Sequence, residues 1–158
     1  MPGEIGSRPF DTDGLPVRRT VVVEKGVLNS YLCNTYAARK LGLKSTGNAE
    51  GGGVGPNNFY LEPGTSAPEK IIASMKKGLV LIRTLGNGLN SVSGDISRGA
   101  FGLWVEDGEV VHPVSEITIS GNLGTILNAV ESVGNDLEFF SPVTGPTVKV
   151  AEMTVAGQ

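Results

Sequence analysis

Few residues in this chain could carry hydrolytic or metal chemistry. It holds one histidine, His112, and one cysteine, Cys33, well separated in the sequence. A catalytic zinc site takes three protein ligands, commonly a histidine pair at helical spacing with a carboxylate or a cysteine. There is no H-E-x-x-H and no second histidine. His112 precedes Pro113 beside an expected strand and reads as a polar strand-end residue, while Cys33 reads as a small packed hydrophobe. A Ser–His–Asp triad would have to use His112, and the G-x-S-x-G turn that would support one is missing.

The glycine clusters and paired carboxylates also have plain readings. Gly51-Gly52-Gly53-Val54-Gly55 is followed by Pro56-Asn57-Asn58 and a strand-like run. A phosphate-binding loop needs instead Gly-Lys-Ser/Thr opening a helix, or G-x-G-x-x-G between strand and helix. A flexible or tightly turned loop is expected there, and again at Gly86-Asn87-Gly88-Leu89-Asn90. Asp11 and Asp13 lie in turn-rich sequence, where aspartate bonds its own backbone, and are read as solvated turn residues. Residue chemistry alone reaches only a soluble α+β domain.

The elements that would position these residues are mostly short strands. Thr20–Glu24 faces Val27–Leu32 across Lys25-Gly26, and Phe101–Glu106 faces Glu109–Val111 across Asp107-Gly108. Asp-Gly takes the positive φ angles of a type I′ turn at little cost, and Lys-Gly is a weaker version. The shared V-E-x-G hints at an internal duplication. Leu79–Ile82 is a continuous apolar run that could be buried on both faces. Glu116–Ser120 alternates as a half-buried strand should. Phe59–Leu61 is a shorter strand candidate, and Val148–Val150 with Met153–Val155 gives a closing strand or pair.

Three helices are expected. One spans roughly Thr35 to Leu41, with Gly42 at its end. A second starts at a Ser66…Glu69 capping box with Pro68 in its first turn, buries Ile71, Ile72 and Met75, and ends by Gly78. A third places Leu123, Ile126, Leu127 and Val130 on one face, capped by Asn122 and terminated by Gly134. The expected fold is α+β, a predominantly antiparallel and barrel-like sheet with two or three short helices. Residues 1–17, with Pro2, Pro9 and Pro16, form an irregular lead-in segment. A self-sufficient domain rarely begins so, and the natural chain is expected to continue upstream.

Composition narrows the setting. The 158 residues fit one domain, and 23 glycines with 9 prolines favour frequent turns. A single cysteine excludes an internal disulfide and suits a reducing compartment. No run approaches the roughly 18 apolar residues of a membrane span, and Met1-Pro2-Gly3-Glu4 is no basic and apolar leader. A cytoplasmic protein without membrane contact is expected. Net charge is −3, with 10 Lys/Arg against 7 Asp/Glu in residues 1–79 and 3 against 9 in residues 80–158. That acidic balance argues against nucleic acid, whose phosphates reward clustered cations.

An ordered series of segments carries a resemblance over nearly the whole chain. It runs from Arg18-Arg19-Thr20 and Glu24–Leu28 through Tyr36–Gly42 and Ser45–Asn48. It continues with Gly94–Ala100, Trp104-Val105-Glu106, Ile119–Leu123 and Val133–Asp136, and closes on Met153–Gly157. The series resembles the C-terminal domain (here residues 18–158) of the TldD/PmbA family, whose members are often described as modulators of DNA gyrase.

The resemblance implies a longer protein with an N-terminal domain, and dimers in which TldD pairs with PmbA (TldE) as a zinc-dependent protease of unstructured peptides. In TldD the metal is held by two histidines of an upstream H-E-x-x-x-H helix. A C-terminal-domain cysteine, in an insert after the segment matching Gly134-Asn135-Asp136, completes the set. Here Leu137–Pro142 leads straight to the final strands, and Cys33 does not match that ligand, so no metal or catalytic residue carries over. This departure, with Arg98–Glu106 and the ending Ala156–Gln158, places the chain on the PmbA/TldE side.

The expectation is a domain inactive as a protease by itself, without a cofactor of its own, zinc belonging to a TldD-like catalytic subunit. It would work with that subunit or as a homodimer and help hold a peptide, which can add to an exposed sheet edge through main-chain hydrogen bonds. Ser45, Thr46, Gly47 and Asn48 are candidates for lining such a groove. A stand-alone peptide-binding or oligomerisation module, or a protein regulator of DNA gyrase, are the alternatives.

Overall fold

Three pairs of residues with positive φ set where the chain doubles back. In the computed structural model, which describes residues 3–157, Lys25 and Gly26 take φ of 51° and 81°, Gly51 and Gly52 take 52° and 82°, and Asp107 and Gly108 take 48° and 81°. Each pair closes a two-residue hairpin, as type I′ turns do. Met1, Pro2 and Gln158, named above in the lead-in and ending motifs, lie outside the described residues.

The elements in chain order begin with β1 (Val23–Glu24), β2 (Val27–Leu28), α1 (Thr35–Leu41), β3 (Ala49–Glu50), β4 (Gly53–Val54) and β5 (Phe59–Tyr60). Then come α2 (Pro68–Ala73), β6 (Lys77–Leu85), β7 (Asp95–Glu106), β8 (Glu109–Asn122) and α3 (Leu123–Asn128). The last are β9 (Val130–Val133), β10 (Val143–Thr144), β11 (Val148–Val150) and β12 (Thr154–Ala156). They fall into two units, Met1–Glu62 with Glu138–Gly145 and Pro63–Leu137 with Pro146–Gln158. The fold is α+β with mostly antiparallel pairing; among the described residues no sheet closes into a barrel.

The first unit is built from two-residue ladders. Hairpins β1–β2 and β3–β4 are antiparallel, and β5 pairs in parallel with β10. The strands expected over 20–24 and 27–32 thus shrink to two residues each. Val23, Val27 and Leu28 are exposed, so this ladder lacks the apolar packing that lengthens a two-stranded ribbon. Helix α1 has the expected bounds. Asn34 caps it by accepting the Ala37 N–H (2.7 Å), and Gly42 closes it in the left-handed conformation at φ 68°.

The second unit centres on a four-stranded antiparallel sheet, ordered β12-β8-β7-β6. Ala100, Ile117 and Ile119 form its buried cluster, with Leu79, Val114 and Met153 against them. The expected Asp-Gly hairpin is its centre, extended to 12 residues in β7 and 14 in β8. Leu79–Ile82 belongs to β6, which is an edge strand and not a strand buried on both faces: Ile82 is 56% exposed.

Two bulges meet opposite Phe101. Ile82 drops out of the β6–β7 register, and Ser115 with Glu116 together face Phe101 from β8. Glu116 takes φ 57° there, a conformation that costs a non-glycine residue about 1–3 kcal/mol. Such paired bulges bend the sheet locally.

Several sequence expectations are overridden by pairing. Pro68 occupies the first position of α2, so Ala67 rather than Ser66 is the N-cap and the capping box does not form. Ser66 instead accepts the Asn135 N–H through its carbonyl (2.9 Å). The helix ends at Ser74, and Gly78 lies inside β6. Helix α3 stops at Asn128, because Val130–Val133 forms β9 and pairs with β11. Val130 is therefore a strand residue and Gly134 terminates no helix. The closing segments do not pair with each other: β11 joins β9 and β12 joins β8.

At Gly102 in β7 a Cβ would lie 2.2 Å from the Val80 carbonyl oxygen of β6. Gly102→Ala is expected to lower unfolding stability by about 1–3 kcal/mol. Gly99→Ala in the same strand would meet only Leu85, at 3.6 Å from its Cβ and 4.0 Å from its carbonyl oxygen, and should stay within about 0.5 kcal/mol. Urea unfolding of both variants checks the contrast.

Candidate functional site

The candidate groove residues Ser45–Asn48 link α1 to β3, and the structure buries most of them. Thr46 and Asn48 are each 6% exposed, Gly47 is buried and Ser45 half-buried. Thr46 Oγ1 accepts the Cys33 N–H (2.7 Å), and its own N–H goes to the Cys33 carbonyl (3.0 Å). Ser45 Oγ donates to the same carbonyl (3.1 Å), and the Arg18 guanidinium donates to the Ser45 carbonyl. Asn48 Nδ2 donates to the Gly55 carbonyl (3.1 Å) while the Gly55 N–H returns to the Asn48 carbonyl (3.0 Å), clamping the base of β3–β4. A Cβ on Gly47 would lie 2.7 Å from the Pro16 carbonyl oxygen.

Asp11 is the residue whose role the sequence reading missed. It is not a solvated turn residue: it is 3% exposed. Its Oδ1 accepts the N–H groups of Asp13 (3.0 Å) and Leu15 (3.0 Å), and its Oδ2 accepts that of Ala49 (3.0 Å). The Ala49 bond is the largest cause holding its pKa below the usual carboxylate value, with the Leu15 and Asp13 amides and the Arg8 charge adding to it. Burial works against them. The two bonds within 11–15 were legible as an aspartate turn; the long-range bond to Ala49 was not. Asp13 turns to Thr35, accepting from its N–H (2.9 Å) and its hydroxyl (2.6 Å) just ahead of α1.

The residues with possible ligand chemistry are not gathered. Cys33 is 1% exposed. His112 lies within β8 and not at a strand end, exposed and across from Trp104, with Nδ1 3.2 Å from the Pro113 carbonyl oxygen. Among the described residues no three His, Cys, Asp or Glu side chains come together, so the donor set does not fit a zinc site. The Gly51–Gly55 cluster is the tight turn of β3–β4.

Two features of the second unit bear on chemistry or contact. The Asp136 carboxylate accepts the Thr147 N–H (3.0 Å) and hydroxyl (2.7 Å), closing the base of residues 137–146. The hydroxyl bond is the main cause that lowers its pKa. The bend of the sheet opens an apolar groove of about 510 Å³ lined by Ile82, Leu85, Phe101, Leu103 and Val114.

This arrangement recurs in known proteins. The family model "PmbA/TldA metallopeptidase C-terminal domain" matches residues 1–157. The chain is 42% identical over 154 residues to the metalloprotease PmbA of Escherichia coli O157:H7, covering 98% of this chain and 33% of that protein. It superposes with a TM-score of 0.93 and 40% identity on a proposed modulator of a DNA gyrase from Thermotoga maritima, covering 99% of this chain and 37% of the other. For TldE from Thermococcus kodakarensis the TM-score is 0.84 at 26% identity, over 95% and 36% of the two chains. The chain thus spans about one third of the length of these curated relatives.

Because folding lowers the Asp11 pKa, its contribution to stability is complete above the ordinary carboxylate pKa of about 3.9 and is lost as pH falls through the lower native value. Asp11→Asn would turn an N–H donor toward one of the three N–H groups. It is expected to lower the unfolding temperature by several degrees at pH 7 and to flatten the acid limb of the stability curve. Thermal unfolding of both proteins between about pH 2 and 7 reads the difference.

Proposed function

Because the chain belongs to the PmbA/TldD metallopeptidase family, as its C-terminal domain, we propose that it is part of a non-catalytic, PmbA/TldE-type subunit. That subunit serves a zinc metalloprotease system that processes or degrades unstructured peptides. The observation that carries this reading is the segment after Gly134-Asn135-Asp136. It contains no thiol, and the Asp136–Thr147 clamp joins its two ends just ahead of β11.

The relatives support a pairing role. They include a PmbA-named metalloprotease, a TldE, and a protein named a zinc metalloprotease TldD homolog from Saccharolobus solfataricus. In this reading zinc and its ligands belong to a TldD-like partner, and this domain helps hold the peptide. Main-chain hydrogen bonding to a sheet edge suits an unstructured substrate, because it reads the backbone rather than the side chains. Within Ser45–Asn48 the groove role falls to half-buried Ser45 and to the backbone that its neighbours hold rigid. No helix of the described residues is long and apolar enough to cross a membrane, and the proposed setting is the cytoplasm.

The purified chain supplied with zinc is expected to leave an unstructured peptide such as denatured casein intact. Mixed with a TldD-type subunit bearing H-E-x-x-x-H, it should elute with that subunit from a sizing column. Hydrolysis by the chain and zinc alone, lost on chelation, would sink the proposal.

A further inference from the structure

Among the ten asparagines of the chain, Asn87 alone is followed by glycine. The Asn87-Gly88 step lies in the connection between β6 and β7, outside both strands, and Asn87 is exposed. Eight of the other nine asparagine side chains are held by hydrogen bonds. Among the described residues those of Asn87 and Asn135 have no such partner. Asn135 precedes Asp136, whose side chain crowds its own N–H. Gly88 has no Cβ to do so, and among the described residues its N–H donates no hydrogen bond. An unheld side-chain amide therefore adjoins an unheld backbone nitrogen.

We propose that Asn87 is a self-modification site, at which the Gly88 nitrogen attacks the Asn87 side-chain carbonyl carbon and the chain gains an acidic residue. The N–Cγ bond forms as the Cγ–Nδ2 bond breaks, and Nδ2 leaves as ammonia with the proton of the Gly88 N–H. Both reacting groups belong to adjacent residues of one chain, which spares the entropy of bringing them together. Water then opens the succinimide at either carbonyl, with no change of oxidation state. Opening at the side-chain carbonyl leaves an aspartyl residue in an ordinary main chain. Opening at the main-chain carbonyl routes the chain through the side chain, as an isoaspartyl residue longer by one methylene.

The packing of Gly88 gives these products different consequences. The Ser97 N–H donates to the Gly88 carbonyl (2.8 Å), and a Cβ on Gly88 would lie 1.6 Å from the Ser97 carbonyl oxygen. A methylene inserted just ahead of Gly88 displaces it from Ser97, whereas the aspartyl form keeps that contact. Either product places a carboxylate in residues 70–94, which hold none.

The test ages the full 158-residue chain at neutral and at mildly alkaline pH, followed by peptide mapping with mass spectrometry. Acid should appear at Asn87 at least about tenfold faster than at Asn135, and faster at the higher pH, where the Gly88 nitrogen loses its proton more readily. Asn87→Gln, which would need a larger ring, should abolish the acidic species seen on ion exchange and leave thermal unfolding unchanged. An isoaspartate-specific carboxyl methyltransferase should label the aged chain and not the aged Asn87→Gln chain. In the isoaspartyl fraction the Ser97 amide should exchange with deuterium faster than in fresh protein. An end-blocked peptide copying Thr84–Leu89 gives the rate without the fold. A native chain that stays intact while this peptide converts overturns the inference, because the folded connection then forbids the ring. Equal conversion at Asn87 and Asn135, or acidic species that survive Asn87→Gln, overturns it as well.

Discussion

Strand β7 is hydrogen-bonded on both sides along almost its whole length, and the second unit depends on that double ladder. Because neighbouring strands sit at a nearly constant spacing, an extra residue in either flanking strand has to be taken up as a bulge. Here Ile82 of β6 and the Ser115–Glu116 pair of β8 are taken up beside Phe101, and β8 carries a second bulge at Val111, between the partners of Trp104 and Val105. Gly102 permits the close approach beside it, and Glu116 takes the positive φ that the bulge demands. The bend, the apolar groove and the exposure of Ile82 follow from this one constraint.

The first unit has no comparable sheet, and polar bonds substitute for one. A buried carboxylate, Asp11, gathers three backbone N–H groups, and Thr46 and Asn48 gather further backbone groups from Cys33 and Gly55. Bonds from ionised acceptors to backbone N–H are among the stronger hydrogen bonds in proteins. They also order loops that bury little apolar surface. This is why residues that look like groove-lining polar groups in the sequence are engaged inside the unit.

The buried thiol of Cys33 and the exposed imidazole of His112 belong to different units, and the ordered polar groups satisfy backbone. In the second unit the outer edge of β6 is unpaired among the described residues, and the apolar groove lies beside it.

The sequence by itself determined the features that depend on neighbours in the chain. The turns at Lys25-Gly26 and Asp107-Gly108, the bounds of α1 with its Gly42 cap, the alternation at Glu116–Ser120 and the family resemblance all come from local pattern or ordered motifs. Tertiary structure alone decided the rest. Val130 carries a helical spacing with Leu123 and Ile126, yet a partner strand at Val148–Val150 draws it into a ladder. Ser66 has capping-box spacing, yet Pro68 moves the helix start by one residue. Asp11 looks like any turn aspartate until Ala49, 38 positions away, donates to it. Each of these outcomes turns on a hydrogen-bond partner distant in sequence or on a steric preference that outweighs a local signal, and neither can be read from a short window of residues.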